Sequence, residues 1–594
     1  MVIEAAASQL NMRENNYRPS RWLRAILSLA VLSAVGAEAT GGLPPFTEVA
    51  VESGVEFVHF NGMSGELYFP ENVGAGVAVF DFDNDGDLDL YLRQGVLLGT
   101  DKKMADALFP PPAGAPPGDR LFRNDSFGGT EFPALRFVDV TEASGIRAES
   151  YGMGVAAADY DGDGAVDLYL TNFDANQLWK NNGDGSFSNV TTKARVGADQ
   201  WSVSASFLDY DGDRQLDLYV GNYVDFRLST HKPCYSESSA QDYCGPRSYN
   251  PQPDRLFHNN GDGTFEDVSA VAGIAKEFGG ALGVITADFN LDGAPDIYVA
   301  NDQLANQLWI NNGSGRFVNE AVLAGVAVNM DGAPEASMGV DAADFDDDGD
   351  EDLFLTHLRR QTNTIYVNEG EGWFSDRTLE MGLAAPSFSY TSFGTAWIDY
   401  DNDGRLDLLT ANGAVQTIEE LDLAKDPYPL HQPNQLFRNL GDLKFKDVTA
   451  AAGSAFEFSE VTRGAAFGDL DNDGDTDVVL TNNNGPARLL RNDVGNRQTW
   501  AAMRLLEARI KRDALGARVR LQRPSGSVLW RRARADGSYA STNDARILAG
   551  LGAMKKSDPL AEVRVEWPDG GSSRFLELPV GRYLTLYQKP PVTQ

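Results

Sequence analysis

The segment from Asp81 to Leu92, DFDNDGDLDLYL, decides the fold. It places Asp at positions 1, 3, 5 and 9 of a nine-residue loop, with Gly at position 6, and runs straight into Leu-Tyr-Leu. Alternating acids around a glycine describe a tight polar turn, and Leu-Tyr-Leu describes a strand. The residues before it, VAVF at 77–80, are also short and strand-like. The unit is a β-hairpin with its charge at the tip.

The pattern occurs seven times. It returns as DYDGDGAVD (159–167), DYDGDRQLD (209–217), DFNLDGAPD (288–296), DFDDDGDED (344–352), DYDNDGRLD (399–407) and DLDNDGDTD (469–477). The candidate metal ligands are Asp81, Asp83, Asp85 and Asp89 in the first loop and Asp159, Asp161, Asp163 and Asp167 in the second. Asp209, Asp211, Asp213 and Asp217 follow in the third, and Asp288, Asn290, Asp292 and Asp296 in the fourth. Asp344, Asp346, Asp348 and Asp352 belong to the fifth, Asp399, Asp401, Asp403 and Asp407 to the sixth, and Asp469, Asp471, Asp473 and Asp477 to the seventh. Two copies depart from the pattern. Arg214 holds the glycine position of the third, which predicts backbone strain there. Asn290 removes one charge from the fourth but keeps an amide oxygen.

Like charges ~4 Å apart repel by about 1 kcal/mol in water and about 4 at an effective dielectric of 20. A bound cation turns that repulsion into attraction. Hard oxygen donors on a flexible loop suit Ca²⁺ better than Mg²⁺, so up to seven Ca²⁺ are predicted. An EF-hand would need Glu at position 12 between two helices. Position 12 is instead Leu92, Leu170, Val220, Val299, Leu355, Thr410 and Leu480.

A second motif trails each loop, as in LWKNNGDGSFSNV (178–190) and LFHNNGDGTFEDV (256–268). Its Asn-Gly and Asp-Gly pairs signal another hairpin. Four strands per unit, with loop-to-loop spacings of 78, 50, 79, 56, 55 and 70 residues, predict an all-β, seven-bladed β-propeller over 40–496. The seventh unit ends at LLRND (489–493) without its last strand, and Phe46-Thr47-Glu48-Val49 supplies one at the other end of the chain. Pairing the two would close the ring and hide its edges. Long insertions at 95–118, 223–253 and 413–433 fall between second and third strands, on the face opposite the calcium loops.

The chain of 594 residues has a formal charge of −36, unevenly spread. Residues 497–594 hold 18 Lys/Arg against 9 Asp/Glu, whereas 40–496 hold 28 against 74. That step marks a boundary, and the strand-like runs beyond it predict a small C-terminal β-sandwich-like domain over 497–594. The acidic body disfavours nucleic acid. Arg18, Arg21 and Arg24, the apolar run 25–37 and Ala37-Glu38-Ala39 read as a signal peptide over 1–39, hence an exported chain with no stable membrane insertion after cleavage. In an exporting context Cys234 and Cys244 form either a disulfide or two buried thiols.

The acidic hairpins resemble the FG-GAP/VCBS repeats of integrin α-type propellers. Trp500, Asp513–Val519, Gly537–Tyr539, Asn543-Asp544, Leu551-Gly552 and Trp567–Gly570 resemble an ASPIC/UnbV domain. The combination is similar to the cartilage acidic protein family and its bacterial relatives. It departs from that family at Ala549, where the family has Phe. The resemblance implies a calcium-binding exported protein with an adhesive or scaffolding role toward an extracellular protein or glycan.

The sequence offers little catalytic machinery. His59, His231, His258, His357 and His431 are scattered and form no evident zinc set, and neither G-x-S-x-G nor a P-loop occurs. Abundant acids keep a carbohydrate lyase or hydrolase, or a lectin, as the alternative on the same scaffold.

Overall fold

The computed structural model describes residues 44–588 except 113, 115–117, 127–133, 237–238 and 508–509; the predicted signal segment lies outside the described residues. Seven antiparallel four-stranded sheets follow one another along the chain. Each opens with an innermost strand that leads into an acidic loop. These strands are Val77–Phe80, Gly152–Ala158, Ser202–Leu208, Ala281–Ala287, Val340–Ala343, Ser392–Ile398 and Thr462–Gly468. Each packs beside the next, and Thr462–Gly468 packs back against Val77–Phe80, so the ring is closed. The outermost strand of the seventh blade is Phe46–Glu48, with Phe46 opposite Asn492 and Glu48 opposite Leu490. Phe46 is fully buried against Tyr400 and Phe456.

Two rings of repeated residues explain why the blades fit. The first lies five residues before each loop: Gly76, Gly154, Ser204, Gly283, Gly339, Gly394 and Gly464. A Cβ at Gly154 would overlap the Val203 carbonyl of the next blade, and one at Gly339 the Phe393 carbonyl. The innermost strands approach too closely for a larger side chain. The second ring is the Asn that ends each third strand. Asn181 Nδ2 donates to the Phe82 carbonyl of the preceding blade, Asn259 to Tyr160, Asn311 to Tyr210 and Asn368 to Phe289. Asn492 donates to Tyr400, and Asn124 closes the circle on Leu470 at 2.8 Å. Six of the seven acidic loops are therefore stitched to the following blade by a buried amide; in the sixth blade Asn439 donates within its own blade, to the Leu406 carbonyl.

Beyond the propeller, Ile547–Gly552, Thr499–Leu506 and Tyr583–Tyr587 form one sheet. Val528–Arg532, Arg518–Gln522, Leu560–Glu566 and Ser572–Leu578 form another. Val519, Leu521, Val563, Ala549 and Met503 belong to the core they share, so the tail buries its own sandwich. It also enters the propeller. Residues 536–543 fill the channel along the ring axis, and all seven blades reach them, the sixth through Thr395 N to Ser538 Oγ and the seventh through Phe467 N to Asn543 Oδ1. Val340 N donates to Ser538 O, Val155 N to Ala540 O and Val79 N to Thr542 O. Ser206 Oγ and Thr286 N both donate to Asp536. Tyr539 is fully buried, its hydroxyl donating to Val73 O at 3.1 Å and its ring 4.8 Å from Phe393.

At the other end of the ring the three insertions pack together. Tyr243, Ile418, Tyr428 and Leu430 make one apolar cluster with Met63. Phe69, Trp201, Tyr223 and Phe226 make a second beneath it. Cys234 and Cys244 form a disulfide, which settles the alternative left open by the sequence.

Candidate metal centres

The acidic loops share one plan. The position-1 carboxylate accepts the N–H of position 6 in all seven and that of position 5 in five, as Asp81 does from Asp85 and Gly86; in the third and sixth loops position 5 turns to position 3 instead. The position-9 carboxylate accepts two more in six loops, as Asp89 Oδ2 does from Phe82 N at 2.9 Å and Oδ1 from Asn124 N at 2.8 Å; among the described residues Asp407 accepts only from Asn439 N. These bonds turn the remaining acids toward one point. Position 4 also adopts positive φ in every loop, at Asn84, Gly162, Gly212, Leu291, Asp347, Asn402 and Asn472. Arg214 takes the left-handed conformation of the glycine it replaces, with φ 73°. Its guanidinium is tied to Asp569 of the tail at 2.8 Å, which offsets part of that strain.

The carboxylates converge. Asp81, Asp83 and Asp85 form one group whose ligand atoms lie within 4.8 Å of each other, as do Asp159, Asp161 and Asp167, Asp209, Asp211 and Asp213, and Asp344, Asp346 and Asp348. In the fourth loop Asn290 turns its amide to Asp292, 3.1 Å away. Burial pushes Asp89 and Asp217 up to about 9 and Asp296 to about 8. It holds Asp167, Asp352, Asp407 and Asp477 well above the usual carboxylate range. At position 1, burial lifts Asp81, Asp159 and Asp209 to about 6, Asp399 and Asp469 to about 7, and Asp344 to about 8. Buried oxygens of Asp161, Asp399, Asp407, Asp471 and Asp473 have no hydrogen-bond partner. Crowded, desolvated, orphaned carboxylate oxygens fit a hard divalent cation.

The residue before the third-strand Asn differs from blade to blade. Lys180 pairs with Asp161 and Asp163, and Arg438 with Asp401 and Asp403. Arg123 and Arg491 hold the position in the first and seventh blades, Ile310 and Val367 in the fourth and fifth. In the third blade it is His258, whose Nδ1 lies 3.3 Å from Asp211 Oδ2 and 3.3 Å from Asp217 Oδ1. Scattered in sequence, this histidine is gathered into an acidic cluster with Asp211 and Asp217 by the fold.

The basic tail lies over the loops. Arg504 Nη1 is 3.3 Å from Asp81, Tyr583 OH donates to Asp469 at 2.8 Å, and Arg546 Nη1 donates to Asn472 Oδ1 at 2.7 Å. Arg512 donates to the Arg214 carbonyl and Arg531 to the Gly404 carbonyl. Trp500 sits where any side chain at Gly474 would be. The charge step at residue 497 is thus the signature of a basic cap on an acidic face. Between cap and first loop lies a cavity of about 630 Å³ bordered by Asp81, Asp159, Arg504, Arg546 and Tyr583. Two of its arginines are already paired, Arg504 with Asp513 and Arg546 with Asp544.

Fold and loops together define a repeat propeller with an acidic hairpin at the tip of each blade and a β-sandwich cap. The FG-GAP-like repeat model matches residues 159–220, 243–299, 288–355, 344–410 and 428–506, and the ASPIC and UnbV model matches 508–592. The chain belongs to the FG-GAP-like repeat family and carries an ASPIC and UnbV domain. It is similar to cartilage acidic protein 1 of Homo sapiens, 28% identical over 316 residues, 51% of this chain and 43% of that protein. The Mus musculus protein is 25% identical over 374 residues, 61% of this chain and 51% of the relative. The matches span about half the length of these relatives. Among solved structures, YCF48 bound to D1 peptide aligns with 76% of this chain and 95% of its own at 7% identity and a TM-score of 0.38. An Agrocybe aegerita lectin recognising non-reducing terminal N-acetylglucosamine aligns with 70% and 87% at 14% identity and a TM-score of 0.33.

Proposed function

We propose that this chain is an exported calcium-binding scaffold that holds an extracellular protein or glycan through its insertion face, without catalysis. One observation carries the choice of face: the C-terminal domain covers the acidic loops and threads the channel, so the calcium end of the ring is already occupied by the chain itself. The opposite end presents long loops on a rigid ring, where binding usually resides. It includes a cleft of about 330 Å³ bordered by Leu98, Phe173, Trp201, Phe226 and Arg227. The Cys234–Cys244 disulfide and the likeness to cartilage acidic protein 1 support export.

The test is a glycan and extracellular-protein array probed with the purified chain in millimolar calcium and again in chelator. The expected result is a calcium-dependent signal that a substitution such as Arg227→Glu removes. Turnover of a polysaccharide on the array, or a signal indifferent to the insertion face, overturns the reading.

A further inference from the structure

The third loop differs from the other six in kind. Its neighbour on the third strand, His258, presents a ring nitrogen between the carboxylates at positions 3 and 9. In the second, sixth and other basic blades the same place is taken by an ammonium or guanidinium, which has no lone pair to give a metal. In the fourth and fifth blades Ile310 and Val367 offer no donor at all. Only an imidazole can join the coordination sphere.

The geometry supports that role. His258 Nδ1 is 3.3 Å from each of two oxygens that belong to different ligands, Asp211 Oδ2 and Asp217 Oδ1. The nitrogen is buried and makes a hydrogen bond to neither. Two donors bound to one ion at about 2.1 Å in a tetrahedral arrangement stand about 3.4 Å apart. The spacing seen is the edge of such a shared sphere. Asp217 is fully buried and fixed by Tyr210 N and Asn259 N. His258 is held in register opposite Glu266, and its ring meets Tyr210 edge-on at 6.1 Å. Neither donor needs to move far to bind.

Donor chemistry then chooses the ion. Calcium is served by oxygen alone, whereas a mixed imidazole and carboxylate set favours borderline divalent metals. We infer that the third loop takes a zinc-class transition-metal dication through Asp211, Asp217 and His258, in place of the calcium expected at the others. The inference rests on the loops being metal sites, and it makes the protein a carrier of two kinds of metal.

The experiment uses the full, tag-free chain in saturating calcium. Zinc is titrated calorimetrically, and Co²⁺ is followed by its visible ligand-field absorption, in the parent and in His258→Gln and His258→Lys. The parent is expected to bind one equivalent of zinc that calcium does not displace, with a Co²⁺ band that reports nitrogen ligation. Both variants should bind zinc at least about tenfold more weakly and lose that band. Equal zinc affinity and equal Co²⁺ spectra in parent and variants overturn the inference, because groups other than His258 would then account for the binding. Calcium stoichiometry separates the two readings. A chain that binds zinc through His258 but no calcium keeps this inference and sinks the calcium scaffold; a chain that binds calcium but no zinc does the reverse.

Discussion

The two ends of the ring are closed by opposite means. At the loop end, buried carboxylates face one another and the basic tail lies across them. At the insertion end, Tyr243, Tyr428, Leu430 and Met63 close the channel with apolar contacts. The first closure depends on charge compensation and therefore on ions and pH. The second depends mainly on area removed from water, with buried Glu71, which accepts from Tyr243 and is pushed up to about 8 by burial, as a titratable group inside it. One end depends on metal and the other does not, and that asymmetry can be attacked directly.

The largest effect should come from removing metal. Chelation leaves several desolvated carboxylates at every hairpin, and the hairpins also carry the Asn stitches between blades. The melting temperature should fall by tens of degrees, and millimolar calcium should restore it. An unchanged melt in excess chelator, with no metal found by elemental analysis, breaks the comparison at its root.

Next is the seam of the ring. Phe46→Ala removes a fully buried ring from the strand that completes the seventh blade and should cost about 3–5 kcal/mol. Tyr539→Ala, which empties the channel, should cost a similar amount, and tail and propeller should still unfold in one transition. Two separated transitions in calorimetry would show that the threaded segment does not couple them.

A smaller effect concerns protons. Burial disfavours the charged form of the position-1 and position-9 acids and raises them above the ordinary 3.8, Asp81 to about 6, Asp399 to about 7 and Asp89 and Asp217 to about 9. The folded chain therefore binds more protons than the unfolded chain across that window, and stability falls as pH rises through it. The chelated protein should melt higher at pH 5 than at pH 8. With calcium bound the order should reverse, since protons then compete with the metal. A chelated protein that is more stable at pH 8 would show that the loops are not the source of the strain.

Much of this was legible because it repeats. Seven acidic hairpins with strands on both sides imply seven blades, since charge cannot enter a core and LYL or LFL cannot leave one. The Asn ring is visible as an invariant residue in LFRN, LWKN and LFHN, but nothing in the sequence marks it as a tie to the preceding blade. The small residue five places before each loop was likewise in view, and only the ring geometry shows what it clears. Position 4 carries its own signal, Asn or Gly in five copies, for a second left-handed residue. The channel segment and His258 were not legible. A stretch such as Gly537–Asn543 contains nothing that says it threads another domain, and a histidine 41 residues beyond Asp217 meets it only through sheet register.

The smallest effect on stability should accompany the largest effect on binding. Removing the whole insertion 413–433 would not test this, because Ile418, Tyr428 and Leu430 are buried and their loss would open the apolar closure. The exposed part is the outer side of the short helix Glu419–Leu423, whose Leu421 packs partly against the cluster while Leu423 is 75% exposed. Replacing Glu419, Glu420, Asp422 and Leu423 with Ser, with Leu421 kept, removes acids and an apolar tip while leaving the packed parts of the insertion in place. Stability should change by no more than about 0.5 kcal/mol, and calcium content should not change. If the insertion face binds, affinity for whatever the array identifies should nonetheless fall. Binding that survives this replacement, yet is lost on altering the exposed turns at 181–186 or 259–264 beside the acidic loops, would move the function to the end of the ring that the tail covers.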